Sequence, residues 1–383
     1  MSLIPFSSGN HVRLLHSGEA FFSALLQAIA TAQAEIRLET YIFATDATGQ
    51  KIADALSAAA QRGINVHVMV DGFGSPDFMP GLGEQMRRAG VEVMIYRPEL
   101  ARFRMRKQRL RRLHRKLACI DAGVGFIGGI NIIDDLDDAG RPRLDYTVRV
   151  EGPVVAPIHH TMTRLWELVR WASLGRRYRA APPRQITTAS EGQMHAALLV
   201  RDNLRHRRSI ENAYLDAMQN AQNEILIANA YFLPGRRFRQ ALIDAAQRGV
   251  NVTLLLEGKV EYRLQYFATL ALYEQMLSAG VNIYEYRHSF LHAKVAVIDD
   301  DWATVGSSNI DPFSLLLARE ANLVVRDKAF ASSLRADLTH AIATGGVKIE
   351  GWVKLPWYYR LAAWLAYGTV RTLIGLAGYS KLH

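Results

Sequence analysis

His114-Arg115-Lys116-Leu117-Ala118-Cys119-Ile120-Asp121 is repeated later in the chain as His292-Ala293-Lys294-Val295-Ala296-Val297-Ile298-Asp299. Each copy runs into a glycine turn closed by an asparagine, Gly128-Gly129-Ile130-Asn131 in the first and Gly306-Ser307-Ser308-Asn309 in the second. At roughly 5% usage per residue type, five fixed positions arise by chance at about one start site in a million. Two copies in register therefore mark a duplicated unit with a task. Both segments are apolar and rich in β-branched residues, so each reads as a strand. On a strand, residues i and i+2 face the same way. His114 projects with Lys116, and His292 with Lys294. Asp121 and Asp299 follow at an odd offset, which turns them to the other face and suits a turn-stabilising role.

The duplication extends outward from the motifs. Ala60-Gln61-Arg62-Gly63-Ile64-Asn65-Val66 matches Ala246-Gln247-Arg248-Gly249-Val250-Asn251-Val252, and Ala89-Gly90-Val91 matches Ala279-Gly280-Val281. The spacing predicts a helix over Gln50–Arg62 stopped by Gly63, then a strand over Ile64–Val70. Strands alternating with helices predict an α/β fold, with two repeats that each carry a mostly parallel sheet flanked by helices. Facing each other about a pseudo-twofold axis, they would build one active site at their interface. The first repeat spans 1–172 and the second 196–346. A linker at 173–195 contains Pro182-Pro183 and Thr187-Thr188-Ala189-Ser190. The offset between repeats shrinks just before the motifs, which assigns the first repeat a basic insertion over 99–113.

Two imidazoles can supply a nucleophile and a general acid/base. Two lysines supply fixed positive charge, Asn131 and Asn309 supply neutral donors, and Ser307 supplies a hydroxyl. Glycine turns let backbone N–H groups approach an oxyanion. This inventory suits a phosphodiester. Each repeat also offers an acid on a following strand, Asp145 and Glu320, able to fix an imidazole tautomer as in a serine-protease triad. No Cys/His cluster or acid-rich run has metal-ligand spacing, so neither a metal nor a cofactor is expected. His159-His160 reads as structural, because neighbours on a helix diverge by about 100°. Cys119, the single cysteine, reads as a small core residue.

The chain carries a formal net charge of +10 and a pI near 9.7, which implies an anionic partner, nucleic acid or membrane. Arg102, Arg104, Arg106, Lys107, Arg109, Arg111, Arg112 and Arg115 crowd the approach to His114 and read as a headgroup funnel. The segment 347–383 is rich in Trp and Tyr, but Arg360 and Arg371 interrupt it, so it reads as membrane-interfacial rather than spanning. The first ten residues lack a secretory pattern, and the chain is expected on the cytoplasmic side.

The signature His-x-Lys-x4-Asp followed by Gly-Ser/Gly-x-Asn resembles the phospholipase D superfamily over nearly the whole chain. Longer phrases resemble the B-type bacterial cardiolipin synthases: Val70-Asp71-Gly72-Phe73-Gly74-Ser75-Pro76-Asp77, Ile227-Ala228-Asn229-Ala230-Tyr231-Phe232 and Trp302-Ala303-Thr304-Val305-Gly306-Ser307-Ser308-Asn309. The resemblance implies a ping-pong phosphatidyl transfer between two phosphatidylglycerol molecules, giving cardiolipin and glycerol. It implies His114 as nucleophile, His292 as acid/base, and Lys116, Asp121, Lys294 and Asp299 as the remaining catalytic residues. It also implies phospholipid partners, an anionic membrane surface at the cytoplasmic face of the inner membrane, and no nucleic acid. Gly129 departs from the pattern, since serine is commoner there. A nucleic-acid phosphodiesterase and an inactive membrane scaffold are the competing readings.

Overall fold

The computed structural model describes residues 4–97, 112–134, 136–137, 139–174, 192–202, 206–259, 263–311, 318–350 and 357–374. Most of the basic insertion and of the linker lie outside them. The first repeat runs β1 (Ser7–His16), α1 (Ser17–Thr31), β2 (Glu35–Thr40), α2 (Ala47–Gln61), β3 (Asn65–Asp71), α3 (Glu84–Arg88), β4 (Glu92–Tyr96), β5 (Arg112–Leu113), β6 (Lys116–Ile120), β7 (Val124–Gly128), β8 (Tyr146–Glu151) and α4 (Val155–Leu174). The second runs β9 (Met194–Arg201), α5 (Ser209–Asn220), β10 (Glu224–Asn229), α6 (Arg236–Gln247), β11 (Asn251–Glu257), α7 (Arg263–Ser278), β12 (Asn282–Tyr286), β13 (Lys294–Ile298), β14 (Trp302–Gly306), β15 (Ala318–Arg326), α8 (Lys328–Gly345) and β16 (Gly346–Lys348). A last helix, α9, spans Trp357–Ile374.

The helix expected at Gln50–Arg62 starts three residues earlier, because the Asp46 carboxylate accepts from the Gly49 N–H at 2.9 Å and caps it. It ends where expected, at Gly63 with φ +89°. The expected parallel arrangement is present in each repeat, as β2-β3-β4 and β10-β11-β12. The motif strands β6 and β13 join antiparallel to β2 and β10, and β7, β8, β14 and β15 continue antiparallel. The whole sheet is therefore mixed. Tight hairpins from β6 to β7 and from β13 to β14 force this, since a short turn can only join antiparallel neighbours.

One sheet continues through both repeats, in the order β16-β12-β11-β10-β13-β14-β15-β9-β1-β8-β7-β6-β2-β3-β4. The first strands of the two repeats, β1 and β9, pair antiparallel at the centre. Apolar residues from both repeats, such as Val148, Ile127, Val305 and Leu323, share one buried cluster at the join. Each repeat also has a cluster of its own beneath its βαβ helices.

The two motif aspartates sit at the far ends of their strands. Asp121 and Asp299 adopt left-handed turns, both with φ 47°. The Asp121 carboxylate accepts from the backbone N–H groups of Gln33, Ala34 and Glu35 at 2.7–2.9 Å. Asp299 does the same for Gln222, Asn223 and Glu224. Burial works against its charge, yet the three donors hold Asp299 below the ordinary carboxylate range. At about 3.3 Å per residue, each aspartate lies roughly 16 Å from its motif lysine. Asp121 and Asp299 thus clamp the start of β2 and β10 and do not join the lysines and histidines.

Candidate active site

The chemistry collects at the carboxyl ends of the parallel strands, where α/β sheets usually bind ligands. Three contacts in each repeat position its histidine there. First, an acid at the end of the third strand holds the residue before the histidine. Asp71 Oδ2 accepts from Leu113 N at 2.7 Å, and Glu257 Oε2 accepts from Leu291 N at 2.5 Å. Burial raises Asp71 above the usual carboxylate range. Second, the opposite repeat pins the histidine backbone. His114 N donates to Arg319 O at 3.0 Å, and His292 N donates to Leu144 O at 2.9 Å. Third, the residue after each pinning carbonyl is an acid that reaches the imidazole.

That third contact crosses the interface. His114 Nδ1 lies 3.0 and 3.2 Å from the two Glu320 carboxylate oxygens, and His292 Nδ1 lies 2.6 Å from Asp145 Oδ2. The sequence offers one acid per repeat, and the structure uses each on the other repeat's histidine. A carboxylate only accepts, so Nδ1 carries the proton in both rings and Nε2 is left to react. The backbone register enforces the exchange. Arg112-Leu113 pairs with Ala318-Arg319 in parallel, and Leu144 bridges Leu291 in parallel.

The lysines lie beneath the imidazoles. Lys116 Nζ donates to His114 O at 2.7 Å, and Lys294 Nζ donates to His292 O. Both are buried. Burial brings Lys116 down to about 7, with Lys294 pushing the same way against the pull of Glu320 and Asp145. Burial, then Lys294, Lys116 and His114, push His292 well below its ordinary value. Burial also lifts Asp145 to about 6, although Lys294 and Lys116 oppose it. Burial, with the like charges beside it, thus favours the neutral forms of Lys116 and His292, and an anion placed between them would favour the charged forms.

The two halves differ behind the acids. Ser307 Oγ donates to Glu320 Oε2 at 2.5 Å. At the matching position Gly129 has no side chain, and a Cβ there would stand 2.3 Å from an Asp145 oxygen. The shorter acid packs directly on the glycine, and the longer one rests on the serine. Asn131 Oδ1 accepts from Ile42 N at 3.1 Å and leaves its amide N–H2 as the remaining donor, while Asn309 is buried on the turn after Ser308.

Several residues of the site escaped sequence reasoning. Asp71 and Glu257 were signalled by an acid-Gly pair ending the third strand of each repeat. Tyr41, whose ring packs 4.9 Å from that of His114, carried no such mark. Nor did buried Arg201, which faces Glu320 across the β9–β15 ladder and is brought down to about 10 by burial. Arg115, counted with the funnel, is buried and pairs with Glu39, because it alternates to the opposite face from His114 and Lys116. Arg102, Arg104, Arg106, Lys107, Arg109 and Arg111 lie outside the described residues. His159 is structural, with Nε2 2.7 Å from Glu35. Burial would raise Glu35, but hydrogen bonds from His159 and Arg37 outweigh it and hold the carboxyl at about 2.

α9 turns Ala363, Ala366 and Val370 inward against α7 and leaves Trp357, Leu361, Trp364 and Leu365 more than half exposed. No helix among the described residues is long and apolar enough to cross a membrane.

The family described as "Cardiolipin synthase, PLD-like domain" matches residues 25–166 and 214–342. Cardiolipin synthase B of Escherichia coli (strain K12) is 38% identical over 379 residues, covering 98% of this chain and 91% of that protein. Cardiolipin synthase A of Klebsiella pneumoniae is 31% identical over 368 residues, 94% of this chain and 75% of that protein. Among solved structures, phosphatidylserine synthase of Haemophilus influenzae matches with a TM-score of 0.70 at 13% identity, over 99% of this chain and 97% of that one.

Proposed function

The chain belongs to the cardiolipin synthase family with phospholipase D-like domains, and from that premise we propose that it joins two phosphatidylglycerol molecules into cardiolipin and glycerol. His114 Nε2 attacks the phosphorus of the first lipid. As the P–O bond to glycerol breaks, His292 gives its Nε2 proton to the leaving oxygen. A hydroxyl of the second lipid then attacks the phosphatidyl-histidine. Its proton passes to His292, and the P–N bond to His114 breaks. Lys116, Lys294 and the asparagine amides stabilise the charge on the equatorial oxygens. Ser307, Asp145 and Glu320 hold the imidazoles.

One observation carries the reading: two imidazoles, each oriented through Nδ1 by an acid of the other repeat, flank two buried lysines. Burial and the neighbouring ammonium groups hold His292 well below its ordinary value, which suits a base. A phosphodiester anion placed among His292, Lys116 and Lys294 reverses the local field, so the acid form of His292 is generated by substrate binding. The exposed aromatic face of α9 and the positive net charge support a peripheral position on an anionic membrane.

Phosphatidylglycerol vesicles incubated with the protein should yield cardiolipin and glycerol by mass spectrometry. Hydrolysis of single-stranded DNA with no lipid product would replace the lipid reading. With a p-nitrophenyl phosphodiester lipid, His292→Ala should accumulate an adduct on His114, and His114→Ala should form none. The opposite pattern reverses the two roles.

A further inference from the structure

The proposed transfer leaves one buried cation without a task. Arg201 ends β9 directly opposite Glu320 of β15 in the antiparallel ladder. Opposed residues share one face of a sheet, with Cβ atoms roughly 5 Å apart. Both side chains are buried, Arg201 to 1% exposure and Glu320 to 0%. Arg201 Nε donates to Arg207 O at 3.0 Å, and the two terminal nitrogens make no hydrogen bond among the described residues. On the acid, Oε2 takes the hydrogen bonds of Ser307 and His114, and Oε1 is left without one among those residues. A guanidinium so placed is costly, because burial removes the water that would solvate its charge.

Burial brings Arg201 down to about 10. Glu320 opposes this most strongly, ahead of Asp311 and of Glu211 on α5, while Arg207 adds to it. Coulombic attraction is mutual, so the guanidinium favours the carboxylate form of Glu320 as much as Glu320 favours the guanidinium. Lys116 on β6 and His114 are the other basic groups that meet this acid. The first repeat is built differently. His16 pairs with Tyr146, and the next pair along that ladder is Ser17 with Asp145, where Ser17 N donates to Asp145 O at 3.0 Å. A serine thus takes the place of the arginine. Burial lifts Asp145 to about 6 against Lys294, Lys116 and Arg143. The proposed chemistry asks for such a difference. His292 gives up and regains a proton in each cycle. His114 carries phosphorus on Nε2 and must keep its proton on Nδ1, since its loss to Glu320 would make imidazolate the leaving group.

We infer that Arg201 is a positioning residue of the first imidazole, its buried positive charge holding Glu320 as the carboxylate that keeps the proton on His114 Nδ1. This rests on the proposed transfer, with His114 as its nucleophile. Arg201 acts through Glu320 and not on the lipid. Glu320 then stays a carboxylate over the range in which Asp145 takes up a proton, and the two repeats, alike in backbone, differ in the chemistry of their acids.

The test measures kcat/KM for cardiolipin formation by the full-length protein in phosphatidylglycerol vesicles as a function of pH. Removing a cation beside a carboxyl group makes its protonation easier, so the carboxylate is lost from a higher pH downward. Arg201→Gln should therefore fall below wild type by about tenfold or more near pH 6, and the gap should narrow as pH rises towards about 9. Arg201→Lys, which keeps the charge, should recover most of the wild-type profile. In a Glu320→Gln background, Arg201→Gln should add less than about a threefold loss, since a residue acting through another is not additive with it. A loss of equal size at every pH makes Arg201 a structural support for the chain at Arg207 and overturns the assignment, as does a profile unchanged from wild type. A second measurement needs neither turnover nor Arg201→Gln. Infrared difference spectra of the wild type between about pH 8 and pH 5.5 should contain a protonated-carboxyl band that Asp145→Asn removes, and none that Glu320→Gln removes. A band lost in Glu320→Gln overturns the assignment even where Arg201→Gln does not fold. Wild-type protein that makes no cardiolipin rejects the underlying synthesis, and the infrared bands alone then decide the role of Arg201.

Discussion

Asp145 lies in the first repeat and serves the histidine of the second, so its loss should resemble loss of His292. Asp145→Asn is expected to lower turnover by about two to four orders of magnitude, as when a triad acid becomes an amide. Burial has raised this carboxyl to about 6. In the wild type its charged form is therefore lost as pH falls through 6, and kcat/KM should fall with it. The variant should lack that acid limb. A folded-state value above the ordinary 3.8 means the native protein binds the extra proton between those pH values, so ionisation costs native stability above pH 6. The variant should then lose activity at pH 7 without losing melting temperature; a large drop in both would make Asp145 a structural group instead. Gly129→Ser should act on the same atom, because its Cβ meets the Asp145 carboxylate. It is expected to cost activity comparably, whereas Ser307→Gly should spare His292. Equal activity of Gly129→Ser and wild type would show that Asp145 can move without consequence. Little of this was readable in the chain. His114, Lys116, His292 and Lys294 were, because the i,i+2 rule places them. Which acid meets which imidazole was not, because the partners are 206 and 147 residues apart and no local pattern encodes such a contact.

Among the elements, α9 has the division of labour that the tail composition only half revealed. Tryptophans and tyrosines raised the expectation of an interfacial helix, but the small residues Ala363 and Ala366, which seat it on α7, carry no such signal. Removing the whole segment would bare α7, so point changes on the outer face are the cleaner probe. Trp364→Ser with Leu365→Ser should weaken partition onto anionic vesicles by about ten- to hundredfold, the loss expected from two large side chains no longer buried in lipid. Turnover of a short-chain micellar substrate should stay near wild type. Unchanged partition would remove α9 from the membrane contact. The motif strands show the opposite balance. Their strand character was plain, but their antiparallel direction follows from hairpins too short for a crossover, and the turning aspartates are legible only by parity.

For the whole molecule, a pseudo-twofold relation makes each repeat incomplete. Neither pairs its motif histidine with an acid of its own. His114→Ala and His292→Ala should each lose activity by orders of magnitude, and the double variant should be scarcely worse, since groups acting as a unit are not additive. Half activity in each single variant would mean two independent sites. The duplication itself was legible from matched phrases, but the joining of β1 to β9 into one sheet was not, since it depends on how two apolar faces meet. The exchange of acids also has a consequence during synthesis on the ribosome. Glu320 emerges 206 residues after His114. At about 5–20 residues per second the first histidine waits roughly 10–40 s for the group that holds its tautomer. Throughout that interval the nascent chain carries a complete first motif without the acid that orients its histidine, so the proposed site is completed only when the last central strand has been made.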